Sequence, residues 1–120
     1  MANTFRVVTK ADLPNSVTNN SATIYTVPSG TTAIVLGLAV ANTTTSSQKL
    51  NIKLASATTV TGAQAQNAEI FIAKDILVPS GATLEFMSGQ KYVMGINDVL
   101  KVYSENDSAF DVAFSFMEIT

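Results

Sequence analysis

Along this chain, apolar side chains alternate with polar ones more often than they recur at helical spacing. The cleanest case is Gln48–Ala55, where Leu50, Ile52 and Leu54 point one way and Lys49, Asn51 and Lys53 the other. That is the pattern of an antiparallel strand with one buried face. The stretch Thr32–Asn42, TAIVLGLAVAN, is apolar almost throughout. Its even positions Ile34, Leu36, Leu38 and Val40 are large, and its odd positions Ala33, Val35, Gly37, Ala39 and Ala41 are mostly small. A strand here predicts a bulky core face and a smooth outer face that a second surface can approach closely. A buried helix is the competing assignment for a short apolar run, but the β-branched content and the preceding Pro28-Ser29-Gly30 turn favour the strand. Residues 109–119 align Phe110, Val112, Phe114 and Phe116 on one face. The phase then slips at Met117 and Ile119, with Glu118 polar, and the sequence predicts a β-bulge there to restore the register.

Residues 22–27, Glu69–Val78, Thr83–Phe86, 91–94 and 98–104 read as further short strands. The turn signals between them are a polar NTTTSS loop at 42–47, Pro79-Ser80-Gly81, Ser88-Gly89-Gln90, Gly95 with Asn97, and Glu105-Asn106-Asp107-Ser108. Val-Pro-Ser-Gly occurs at both 27–30 and 78–81, an echo that shared turn chemistry explains as well as duplication does. Seven or eight short strands without a convincing helix predict an all-β fold, an antiparallel β-sandwich of jelly-roll-like or barrel-like form. That domain is expected over 21–120. Residues 1–20 read as an extended N-terminal arm, in which Phe5, Val7 and Val8 form a brief apolar patch before Leu13-Pro14-Asn15 breaks it. Such an arm is either a frayed terminus or a segment lying on a neighbouring subunit.

Composition sharpens this picture. The 120 residues suit one domain. The chain is 47% hydrophobic but only 13% charged, against about 25% charged in an average soluble domain. A small protein with so few charges leaves much neutral surface facing water, which favours an assembled state. Net charge is −2, and the basic residues Arg6, Lys10, Lys49, Lys53, Lys74, Lys91 and Lys101 are scattered, so no direct contact with nucleic acid is expected. The absence of cysteine rules out disulfides and thiolate ligands. No apolar run approaches the roughly 20 residues of a membrane-spanning helix. The opening residues also lack the apolar core of a signal peptide. Together these lead us to expect a soluble protein made in the cytoplasm, with no membrane partner.

Histidine is absent, which removes the commonest general base and any Ser-His-Asp arrangement. The acidic residues sit in turns or on the polar phase of strands, where solvated charge is a more ordinary outcome than a glycosidase-type pair. Glu105-Asn106-Asp107-Ser108 offers oxygens to Ca²⁺ but lacks the spaced acidic loop and its glycine, and reads as a hairpin turn. PSGTT and PSGAT lack the context of a phosphate-binding loop. Tyr25, Tyr92 and Tyr103 offer a candidate sugar-stacking surface, and the small, polar loop 56–67 a candidate contact loop. No enzyme activity, cofactor or metal is expected.

From Ile24 to Thr120 the chain resembles a family of small all-β virion structural proteins of tailed bacteriophages, including phages of cyanobacteria and other marine bacteria. The similar segments are TIYTVPSGTTAIVLGLAVAN, KDILVPSGATLEF, QKYVMGINDVLKVYSEN and VAFSFMEIT. The resemblance implies an all-β protein assembled on a phage particle, and no functional residue of the family maps onto this chain. The resulting expectation is a capsid decoration (cement) protein on the capsid surface, a homo-oligomer and specifically a trimer, clamping neighbouring major capsid subunits. Phe5, Arg6 and Val7 are the expected partner contacts. The alternative is a neck, tail or fibre-base protein, or a host-surface glycan-binding module.

Overall fold

The computed structural model describes residues 2–15, 22–64, 66–86 and 92–120. Nine strands run through them: β1 Asn3–Lys10, β2 Thr23–Thr26, β3 Thr32–Asn42, β4 Gln48–Ala55, β5 Glu69–Val78, β6 Thr83–Phe86, β7 Val93–Met94, β8 Val99–Ser104 and β9 Phe110–Ile119. Eight lie where alternation and turn residues predict them. The ninth, β1, falls in the expected arm. Asn3–Lys10 pairs along its whole length with β9, from Asn3 opposite Ile119 to Lys10 opposite Val112. Within this chain these residues are therefore a strand of the sandwich. The expected boundary between residues 20 and 21 lies outside the described residues.

The strands form two antiparallel sheets, β1-β9-β3-β6 with β7 also on β3, and β2-β8-β4-β5. Partners are matched from the chain ends inward: β1 with β9, β2 with β8, β3 with β6 and β7, and β4 with β5. The chain is thus one long two-armed hairpin, rolled so that β9 also meets β3 and β8 also meets β4. That is the jelly-roll pattern, a sandwich of two Greek keys.

The Val-Pro-Ser-Gly echo marks two equivalent corners. Each carries the chain from the second sheet to the first, from β2 to β3 and from β5 to β6. Gly30 and Gly81 adopt φ of 72° and 73°, the left-handed conformation that the third position of a type II turn requires. Ala82 N donates to Pro79 O at 3.1 Å to close the second turn. Val27 and Val78 are fully buried at these corners.

Between the sheets lie Phe110, Val112, Phe114 and Phe116 of β9, Leu38 and Val40 of β3, Leu50 and Ile52 of β4, and Leu100 and Val102 of β8. Tyr25 joins them, its ring centroid 4.3 Å from that of Phe116, which lies 4.9 Å from Phe114. Leu54 is packed against this core but only partly buried.

Two expectations of register are overturned, and the two corrections are linked. The bulge lies on β3, between Val35 and Gly37, where β9 continues from Phe116 to Ser115 without interruption. The extra residue is Leu36, which is 42% exposed. Before the bulge, Ala33 and Val35 face the core; after it, Leu38 and Val40 do. Ile34 and Leu36 therefore leave the core face to which their size assigned them. β9 has no slip at Met117: burial alternates through Ile119 and keeps Glu118 on the inner face.

Candidate assembly surface

The outer faces of the two sheets differ in chemistry. Alternation along β9 turns Ala113, Ser115, Met117 and Ile119 outward. The register sets Phe5 and Ile34 on either side of Met117, Val7 and Gly37 beside Ser115, and Thr9 and Ala39 beside Ala113. Val93 of β7 lies next to Ile34, and Glu85 of β6 next to Ala39. The centre of this face is floored by side chains no larger than serine. It holds a shallow depression of about 380 Å³ bordered by Leu36, Glu85 and Phe86. A second, of about 310 Å³, lies where Ala39 and Ala41 meet Thr9, Lys10 and Asp111. Large apolar groups stand around that floor: Phe5 is 72% exposed, Val7 63% and Val93 66%. Of the smooth outer face predicted for β3, Gly37, Ala39 and Ala41 are present, whereas Ala33 and Val35 face the core and Ile34 and Leu36 stand outward.

The second sheet presents charge beside apolar groups of its edge strand, where Phe71 and Leu77 are exposed. Lys53 and Lys101 both reach Glu69, at 3.2 and 3.1 Å. Lys53 Nζ also sits 4.5 Å above the Phe71 ring. Burial pushes the Glu69 carboxyl up, but the hydrogen bonds from Lys101 and Lys53 outweigh it and hold the group below the ordinary glutamate range.

The three expected contact residues do not share a face. Phe5 and Val7 point outward on β1, while Arg6 lies in the opposite phase, its side chain still 55% exposed, and donates from Nε to Glu118 Oε1 at 2.5 Å. Tyr25 Oη donates to Glu118 Oε2 at 2.6 Å. These hydrogen bonds, first from Tyr25 and then from Arg6, hold the Glu118 carboxyl below its ordinary range against the opposing effect of burial. Glu118 was missed as a structural residue, although its position in the inward phase of Phe110, Val112, Phe114 and Phe116 is a signal the sequence carries.

The other candidates resolve into structural roles. Tyr25 faces the core, whereas Tyr103 lies on the opposite face of the same sheet, paired with Asn51. Tyr92 packs against the core. The three rings therefore form no single platform. The loop 56–67 is tied down by Asp98, whose Oδ1 accepts from Ala57 N at 2.6 Å, and by Gln66, whose side chain bonds both N and O of Val60. In the 105–108 turn, Glu105 accepts from Lys49 N and Asp107 from Asn15 N, so both carboxylates serve backbone amides. Among the described residues, no three acidic, histidine or cysteine side chains cluster to hold a metal.

No protein-family model matches this chain, and no curated protein matches it. Among solved structures, a chain from the crystal structure of the T13 IBDV viral particle aligns with 97% of this chain, at 10% identity and a TM-score of 0.46. This chain spans 30% of the length of that one.

Proposed function

We propose that this chain is a phage virion structural protein, a decoration protein that sits on the capsid surface and clamps neighbouring major capsid subunits. The observation that carries this reading is the outer face of the first sheet. It is broad and uncharged at its centre, with Phe5, Val7 and Val93 largely exposed and charge confined to Glu85, Lys10 and Asp111 around it. The opposite face carries the Lys53-Glu69-Lys101 cluster beside the exposed Phe71 and Leu77. Covering such a face contributes about 25 cal/mol per Å² of apolar area removed from water. A ligand that recognises only the assembled lattice stabilises that lattice by mass action. The jelly roll is shared by capsid and lectin domains, and fold alone does not choose between them. The resemblance over residues 24–120 supports the virion. Phe5 and Val7 remain the proposed contacts, and Arg6 is assigned to holding β1 in place.

Quantitative mass spectrometry of purified particles, scaled to the major capsid protein, tests this. A decoration protein is expected at between about one-third and one copy per capsid subunit, as lattice symmetry allows. A ratio of a few per cent would move the protein to the neck, tail or fibre base. Absence from the particle would remove the structural reading.

A further inference from the structure

The outer side of β1 is chemically unfinished. Ala2 and Thr120 exchange both backbone hydrogen bonds, Ala2 N to Thr120 O at 3.2 Å and Thr120 N to Ala2 O at 3.0 Å. In an antiparallel ladder such pairs alternate with pairs that are not hydrogen-bonded, and the β1–β9 register is unbroken. Thr4, Arg6, Val8 and Lys10 therefore direct their N–H and C=O groups at β9. Asn3, Phe5, Val7 and Thr9 direct theirs away from the sheet, in a row of alternating donors and acceptors that recognises an extended strand.

The other described edges are guarded. β2 and β6 have four residues each and β7 two, and the β2 pairing is itself shifted between Thr23 and Tyr25. β5 is long, but its pairing with β4 shifts register twice, and Asp75 interrupts it at φ 51° beside Lys74. Short strands, bulges and charge of this kind discourage edge-to-edge pairing. β1 has eight residues, continuous register, and neither proline nor bulge.

We propose that two copies of this protein pair through β1, antiparallel about a two-fold axis, joining their first sheets into one continuous sheet. A second copy is the occupant because, of the described edges, β1 alone offers a regular strand of matching length, and pairing it with itself closes the symmetry. To keep the outer faces continuous, residues of like parity must stand opposite each other. A pairing centred on Arg6 would oppose two guanidinium groups, which is destabilising. Centring on Val7 avoids this, setting Val7 opposite its mate, Phe5 opposite Thr9 and Arg6 opposite Val8. It also gives a longer overlap than centring on Phe5. The contact is small beside the roughly 800 Å² per partner of stable complexes, so the dimer assembles at high concentration. Two-fold closure gives a dimer in place of the trimer expected from sequence, and it does not depend on where on a particle the protein sits.

Sedimentation velocity over a concentration series, with amide hydrogen exchange by NMR on the full chain, tests the pairing. The expected result is a monomer–dimer equilibrium in which the Phe5, Val7 and Thr9 amides exchange at least about tenfold more slowly in the dimer. The Thr4, Arg6 and Val8 amides should be protected at every concentration. Val7→Pro removes an outward N–H without touching the β9 ladder and should abolish the dimer. If that variant fails to fold, Val7→Lys opposes like charges at the axis and should weaken association at least about tenfold. A chain still monomeric at millimolar concentration would overturn the proposal. So would a trimer, an oligomer whose Phe5, Val7 and Thr9 amides stay unprotected, or a dimer dissociated by Leu77→Glu on β5.

Discussion

Tyr25 and Glu118 belong to different sheets, yet the tyrosine hydroxyl donates to Glu118 Oε2 at 2.6 Å, and Arg6 of β1 meets the other carboxylate oxygen. One carboxylate thus joins β1, β9 and β2 across both layers. A buried charge is tolerated when paired and hydrogen-bonded. Glu118 meets that condition, which is how β9 carries a charged residue in its inward phase without a bulge. Burial, then Glu118 itself, push the Tyr25 hydroxyl well above its usual range, so it is a donor at neutral pH.

Acid sensitivity follows from these contacts. Glu118 is held below its ordinary pKa by Tyr25 and Arg6, and Glu69 by Lys101 and Lys53 against the upward push of burial. A group whose folded pKa is depressed contributes stability above its unfolded value, about 4.3 for glutamate. That contribution is lost as pH falls through the folded value. Thermal melts should show stability that is level near neutrality and declines below about pH 4.3. Glu118→Gln should have a shallower acid decline than the parent protein. A parent whose stability rises between pH 5 and 3 would contradict the assignment.

Neighbouring positions on β1 should respond unequally. Arg6→Ala leaves Glu118, with a side chain 11% exposed, without its cation, and should cost about 1–3 kcal/mol. Phe5→Ala removes a ring that is 72% exposed and should change monomer stability by no more than about 0.5 kcal/mol. Denaturant unfolding of dilute protein measures both, and the reverse order would mean that β1 is turned by one residue.

The bulge on β3 makes a similar contrast. Leu38→Ala empties a buried site and should cost about 2–5 kcal/mol, and Phe114→Ala about 3–5. Leu36→Ala, at the bulge, should cost less than about 1 kcal/mol. Equal losses at positions 36 and 38 would place both on one face and remove the bulge.

Asn42 ends β3 with every side-chain bond in use. Its amide donates to Ser46 O and Val78 O at 2.9 Å each, and its Oδ1 accepts from Thr44 N and Thr44 Oγ1 at 2.9 and 2.7 Å. The residue is 2% exposed. Asn42→Ala should cost about 1–3 kcal/mol by stranding these groups. Asn42→Asp should not recover that loss, because a carboxylate would face two carbonyl oxygens. Melting temperatures of the two variants test this, and a neutral alanine would show that water replaces the bonds.

The sequence by itself determined where the strands lie and where the chain turns. Alternation in QKLNIKLA, the phenylalanine series of β9 and the Pro-Ser-Gly corners depend on residues a few positions apart, and their signals are local. It also carried the smooth face of Gly37, Ala39 and Ala41. Tertiary structure alone decided what depends on distant partners. NTFRVVTK has apolar and polar residues in both phases, so only its pairing with β9 makes it a strand. The bulge at Leu36 is set by the β9 residues opposite it, not by the size pattern of β3. Glu118 reads as a break in phase because the groups that allow its burial, Arg6 and Tyr25, lie 112 and 93 positions away along the chain. A window of neighbouring residues records the period of a strand, but the charge a core can hold is set by what the fold brings against it.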